Sequence, residues 1–252
     1  SGCSGLSLSP SENVVGAVLN AVIGKAGGTK GFRVKIIKGI NPGSGIGSSG
    51  ASSAGAAYAA NMLLGGIFTM NEMVAFAMEG ERLVSGSAHA DNVAPALMGG
   101  ITLIRSYEPL DIVKVSIPSD LWCAVLHPAI EVRTAESRGV LDKEIALKTA
   151  VKQWGNVGGL IAGLYSSDYD LIGRSLTDYV AEPKRAGLIP HFYDIRDAAL
   201  SGGALGAGIS GSGPSVFALC RGKDDATNAC RAMEKVLTAK KQRFRSYVSQ
   251  VN

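Results

Sequence analysis

Residues 42–53 read P-G-S-G-I-G-S-S-G-A-S-S. They follow an alternating apolar run (Phe32, Val34, Ile36) and lead into an alanine-rich stretch, 54–64. Strand, glycine turn and helix, in that order, aim several backbone N–H groups at one point. The turn glycines let a ligand approach the backbone, and the helix dipole favours negative charge there. The hydroxyls of Ser44, Ser48 and Ser49 add donors for phosphate oxygens or ligands for a hard cation. The chemistry expected is the binding of a nucleotide's phosphates. A flexible Gly/Ser linker would not carry such strongly patterned flanks.

Known phosphate loops fit this stretch poorly. Gly45-x-Gly47-x-x-Gly50 matches the dinucleotide fingerprint, but that motif needs an acidic residue about 20 positions on, at the end of a second parallel strand. Here the following segments are helical, and Glu72 falls inside a helix. No lysine follows the last glycines, which excludes the Walker pattern, and the catalytic-loop and metal motifs of protein kinases are missing. What remains is a serine-bearing phosphate loop without a lysine, which must recruit positive charge from a metal. A second glycine turn, Ser210-Gly211-Ser212-Gly213-Pro214, offers either close backbone approach to a ligand or a tight turn between strands. His89 and Asp91 are two metal-capable residues lacking a third, which is weak ground for a metal site.

Several elements must position these residues. An N-cap signal at Ser9-Pro10-Ser11-Glu12 precedes Val14, Val15, Val18, Leu19, Val22 and Ile23 at helical spacing, with Gly24 and Gly27-Gly28 closing that helix. A strand over 32–37 enters the glycine loop. The helix after the loop, 51–64, has small side chains suited to close packing on a sheet, and Gly65-Gly66 stops it. A helix over 69–81 turns Met73, Phe76 and Ala77 inward and carries charge on Glu72, Glu79 and Glu81. Gly99-Gly100 precedes a strand over 101–104, and Pro109 marks a candidate domain boundary. Strands follow over 112–117 and 122–126, with helical patterns from Thr134, Lys143, Val157 and Tyr169, and a break at Glu182-Pro183-Lys184-Arg185. A helix over 192–200, strands over 204–209 and 215–220, a helix over 224–238 and a strand over 244–248 complete the chain. This order suggests an α+β sandwich rather than a doubly wound sheet.

At 252 residues, with 46% hydrophobic and 18% charged residues, the composition is that of an ordinary globular protein. The 33 glycines cluster at turns rather than in repeats, so collagen-like and low-complexity readings fail. A net charge of +4, with basic residues scattered apart from a late run at Lys240, Lys241, Arg243 and Arg245, is too weak to call for nucleic acid. Cys3, Cys123, Cys220 and Cys230 share no C-x-x-C spacing and read as reduced thiols, not a disulfide frame or zinc site. With no membrane-length apolar run and no signal peptide visible, a cytoplasmic protein is expected.

Taken together, the motifs resemble the GHMP kinases (galactokinase, homoserine, mevalonate and phosphomevalonate kinases). Residues 42–53 resemble that family's phosphate loop, and 209–215 resemble its C-terminal glycine motif. Three further segments resemble the homoserine kinase branch: Ser87 to Asn92 with Ala94-Pro95-Ala96 and Gly99-Gly100, then Thr134-Ala135-Glu136-Ser137-Arg138, then 182–185. The resemblance implies an α+β, two-domain GHMP kinase fold. Residues 1–109 would form an α/β, ATP-binding domain with a left-handed βαβ-type phosphate loop, and 110–252 a ferredoxin-like α+β sandwich.

It also implies roles. Pro42, Gly43, Ser44, Gly45, Ile46, Gly47, Ser48 and Ser49 would wrap the phosphates of ATP, with Ser49 and Glu81 holding Mg²⁺. By residue type alone, Glu81 reads as a solvated glutamate at a helix end. Arg138 and Arg185 would bind the acceptor's carboxylate, Asn92 would position its hydroxyl, and Gly211 would let backbone approach it. Surface ion pairing is the alternative for the arginines, and His89 reads as structural. The implied acceptor is a small molecule, L-homoserine, the implied assembly a homodimer, and the implied reaction one without a dedicated catalytic base. Another GHMP kinase acting on mevalonate or phosphomevalonate, and a non-catalytic nucleotide-binding relative, stay open. The family's N-terminal asparagine/glycine motif with its aspartate has no counterpart here, so this stretch made alone is expected to be poorly active or unstable.

Overall fold

The computed structural model describes residues 6–28, 31–132 and 134–252; the expectation for Cys3 lies outside them. The chain divides into two compact units. One is built from residues up to 42 together with 47–114, the other from 43–46 together with 115–252.

The first unit is a helical layer with a small hairpin. Helices α1 (Val14–Lys25), α2 (Ser48–Leu63), α3 (Met70–Ser85) and α4 (Val93–Met98) precede strands β1 (Ile101–Tyr107) and β2 (Leu110–Val115), which form a two-stranded sheet. Helix α1 starts later than the Ser9–Ser11 signal: Asn13 caps it by accepting from the Val15 N–H at 3.0 Å. Thr69 and Glu72 close a reciprocal capping box on α3. The small residues of α2 face helices rather than a sheet. Its buried Ala57 and Ala60 join Val18, Val22, Val74, Ala77 and Val93 in one core. At Gly80 of α3 an added Cβ would stand 2.2 Å from Ser53 Oγ, so only glycine lets α3 approach α2 this closely. Residues 32–37 do not form the expected strand; among the described residues no neighbour pairs with them, and a strand exists only through its partner. Glu108 and Pro109 form the turn between β1 and β2.

The second unit holds a four-stranded antiparallel sheet in the order β4-β5-β3-β6, made of β3 (Leu121–Pro128), β4 (Gly206–Ile209), β5 (Val216–Arg221) and β6 (Phe244–Gln250). Helices α5 (Thr134–Gly139), α6 (Leu147–Ser166), α7 (Tyr169–Ser175), α8 (Glu182–Arg185) and α9 (Phe192–Ser201) lie between β3 and β4, and α10 (Gly222–Ala239) between β5 and β6. Chain order and strand order together give the ferredoxin-like pattern. Leu126, Val216 and Ala218 of the sheet pack on Phe192 and Ile195 of α9 and on Met233 and Leu237 of α10. Helix α6 is one element where two helical patterns were expected. Its Gly159 and Gly163 are contact points for α7, where a Cβ would meet Ser175 Oγ at 2.5 Å and Ile172 at 3.0 Å. The break expected at 182–185 is a helical turn, with Pro183 in the first-turn position that tolerates it. Cys123, Cys220 and Cys230 are free thiols, and burial raises the first to about 11 and the second to about 12.

Candidate functional site

Helix α2 begins directly after Gly47, whose φ of +76° suits glycine and whose lack of a side chain leaves the helix uncapped. The N–H groups of its first turn thus have no capping side chain, an arrangement that suits an anion. Within the first unit, Asn92 packs against this helix start. A Cβ on Gly47 would sit 3.5 Å from Asn92 Oδ1, and one on Gly50 would sit 2.8 Å from Asn92 Cβ. Gly50 is thus glycine because Asn92 occupies the space a side chain would need. The structure brings together two residues that the sequence reading assigned to phosphate and acceptor.

Glu81 is not the solvated helix-end residue its type suggested: it is 7% exposed, inside the first unit. Burial pushes its carboxyl pKa up; a hydrogen bond from Ser49 opposes that, Asp91 adds to it, and His89 and Lys38 oppose it. Its Oε1 is buried with no hydrogen-bond partner. A buried carboxylate oxygen without a donor, beside a serine hydroxyl, is a place that a hard cation would satisfy. Residues 87–92 lie close by, and His89 Nε2 meets Ser87 Oγ at 2.7 Å.

The loop itself has no lysine, as expected, but Lys38 reaches it from outside. Its Nζ donates to the Ser48 carbonyl at 2.8 Å and to Ser48 Oγ at 3.0 Å, and Ser48 Oγ donates to the Ile40 carbonyl at 2.7 Å. Its charge reaches the start of α2 from before the loop, where a search of the Walker type does not look. The only signal in the sequence was a lysine four positions ahead of Pro42.

Residues 43–46 belong to the second unit, where the turn at 210–215 holds them. Ser210 Oγ donates to the Gly45 carbonyl at 2.9 Å and Ser215 Oγ to that of Ser44 at 2.6 Å. Gly43 and Gly45 have φ of +72° and +76°. The Ser44 hydroxyl is buried without a partner.

In the same unit the arginines are fixed by backbone. Arg185 Nε donates to the Ser137 carbonyl and its Nη1 to that of Gly211, each at 3.1 Å, and Ser137 Oγ donates to the Ser212 carbonyl at 2.7 Å. Gly211 therefore serves Arg185 with its carbonyl. Burial lowers the Arg185 pKa; Asp178 opposes this, and the positive charge of Arg138 adds to it. Arg138 thus lies near enough to Arg185 for their charges to interact, with the Asp178 carboxylate acting on Arg185 as well. Ser137, Ser210 and Ser215 were not singled out as site residues, because a serine's role depends on which carbonyl faces it.

The family of GHMP kinases N terminal domains matches residues 13–100, and that of GHMP kinases C terminal matches residues 160–239. The chain is 52% identical over 215 residues to the homoserine kinase of Chlorobium phaeobacteroides, covering 85% of this chain and 67% of that protein. It is 53% identical over 204 residues to the homoserine kinase of Chloroherpeton thalassium, covering 81% and 64%. The matches thus span about two thirds of the length of these relatives. Among solved structures, a homoserine kinase from Cytophaga hutchinsonii superposes with a TM-score of 0.96 at 47% identity, covering 99% of this chain and 79% of that one. Matched in both units and by relatives sharing about half its residues, the chain belongs to the GHMP kinase family.

Proposed function

We propose that this protein is an ATP-dependent homoserine kinase, transferring the γ-phosphate of ATP to the side-chain hydroxyl of L-homoserine to give O-phospho-L-homoserine and ADP, a step toward threonine. The observation that carries the reading is Arg185, held by the carbonyls of Ser137 and Gly211 with Arg138 near enough to act on its charge, a pair of guanidinium groups that suits an acceptor carboxylate. Guanidinium forks grip a planar carboxylate bidentately. The name borne by relatives about half identical to this chain agrees.

In this reading the loop Pro42 to Ser49 and the first turn of α2 cradle the phosphates, and Lys38 adds positive charge at the helix start. Ser49 and Glu81 would hold Mg²⁺, which Glu81 fits because its Oε1 is buried and without a donor. Bound there, the cation supplies neutralisation of phosphate charge. Asn92 accepts from or donates to the acceptor hydroxyl and keeps it in line with the γ-phosphorus. The hydroxyl attacks, its proton passing to a phosphate oxygen, so the residues contribute placement and charge rather than a base. We extend the reading to a cytoplasmic homodimer that binds no nucleic acid.

The test is ADP release by the full-length protein over a panel of L-homoserine, mevalonate and phosphomevalonate. Turnover with homoserine alone is expected. Turnover with mevalonate instead would overturn the acceptor assignment, and ATP binding without turnover of any alcohol would indicate a non-catalytic relative.

A further inference from the structure

The hydrogen bonds behind residues 43–46 lead to a side chain that none of the motifs contains. His127, on β3 and 8% exposed, places Nδ1 3.1 Å from Ser215 Oγ, and that hydroxyl is 2.6 Å from the carbonyl oxygen of Ser44. A carbonyl has no proton, so Ser215 must donate to it. A hydroxyl has a single proton, so toward His127 it accepts. His127 therefore carries a proton on Nδ1. Burial, with Arg245 opposite on β6, holds its pKa below the ordinary histidine range.

Ser210 treats the next peptide alike, donating to the Gly45 carbonyl at 2.9 Å. In a trans peptide the carbonyl and the following N–H point in opposite directions. Drawing the carbonyls of Ser44 and Gly45 toward the 210–215 turn therefore aims the N–H groups of Gly45 and Ile46 away from it. Two carbonyls that would repel a phosphate are tied behind, and two successive N–H groups are presented, as in an anion-binding nest.

We infer that His127 is a positioning residue for nucleotide binding: through Ser215 it fixes the Ser44–Gly45 peptide so that its N–H faces the phosphates. The inference rests on the phosphate-loop reading above. Acting through an intermediary, His127 has no effect of its own once Ser215 is removed.

The experiment uses the full-length protein and ATP, with binding of ATP measured by calorimetry without acceptor, KM for ATP and for acceptor measured separately, and Tm recorded throughout. Ser215→Ala should weaken ATP about tenfold and His127→Leu about three- to tenfold, both leaving the acceptor KM within about twofold. His127→Asn, which keeps an N–H near the Nδ1 position, should recover to within about twofold of wild type. His127→Leu combined with Ser215→Ala should be no worse than Ser215→Ala alone. Additive effects in the double variant, an Asn variant as impaired as the Leu variant, or a change confined to acceptor KM would overturn the inference. Should wild type bind ATP but turn over a different alcohol, the homoserine reading falls while these comparisons still decide the role of His127. Wild type that binds no ATP overturns both.

Discussion

Replacing Gly45 by alanine tests whether the shape of residues 43–46, and not merely their flexibility, makes the phosphate cradle. Gly45 has φ of +76°, and a Cβ there would lie 2.4 Å from the Gly213 carbonyl oxygen, 2.7 Å from its carbon and 2.8 Å from the Ser210 carbonyl oxygen. The left-handed conformation costs about 1–2 kcal/mol for a residue with a Cβ. Overpacking against backbone, which cannot rotate aside, adds about 1–3 kcal/mol. The sum, about 2–5 kcal/mol, corresponds to a fall in Tm of about 5–15 °C for a unit of this size. Loop movement that relieves the overlap would displace the N–H groups of Gly45 and Ile46 by about 1 Å, enough to lower kcat/KM for ATP about 100-fold. Gly47→Ala is the control. Its φ is also +76°, but the nearest atoms to its Cβ would be those of the Asn92 side chain, at an ordinary 3.5 Å or more. It should cost the conformational share alone, about 1–2 kcal/mol. Calorimetric unfolding and ATP kinetics on both variants decide the matter. A Gly45→Ala protein with wild-type Tm and ATP kinetics, or a Gly47→Ala protein that is the worse of the two, refutes the reasoning.

Three further outcomes are expected. Arg185→Lys should raise the homoserine KM about 10-fold or more while moving the ATP KM little, because lysine cannot serve two carbonyls and a carboxylate with one fork; equal effects on both substrates in steady-state kinetics would count against it. Chelation of divalent metal should abolish turnover, and Glu81→Ala should lower kcat about 100-fold or more with its unfolding transition retained, a loss checked by titrating Mg²⁺. Glu182, 7% exposed and paired with Arg196 at 3.1 Å, has its pKa raised by burial against the pull of Arg196. The folded state then holds this proton more tightly than the unfolded state, so its contribution is present below the ordinary value of 4.5 and is lost as pH rises through the higher folded pKa. Denaturant titrations should therefore show Glu182→Gln gaining stability relative to wild type as pH rises from 4.5, and a difference that does not depend on pH would contradict this.

The helices were legible because their signals are local. The Thr69–Glu72 capping box, the 3.6-residue spacing of α1, and Gly65-Gly66, with φ of +89° and +73° after α2, act within a few residues. Misreadings arose where a local signal had a distant cause. The patterns starting at Lys143 and Val157 are one helix, α6, whose Gly159 lies against α7, and residues 32–37 alternate like a strand without a ladder among the described residues. By residue type alone Glu81 read as solvated, and only the resemblance made it a metal ligand, because its surroundings come from α2 and residues 87–92, none of which its own helix pattern contains.

The sequence by itself pointed to the chemistry class: a glycine-rich loop bearing Ser44, Ser48 and Ser49 at the start of a helix is the pattern expected of a phosphate site. Tertiary structure alone decided how that loop is held and charged. Lys38 meets Ser48 across ten positions, His127 meets Ser215 across 88, and Ser215 meets the Ser44 carbonyl across 171. Hydrogen bonds are satisfied in space rather than along the chain, and any of the many serines could have met those carbonyls until folding brought one within reach.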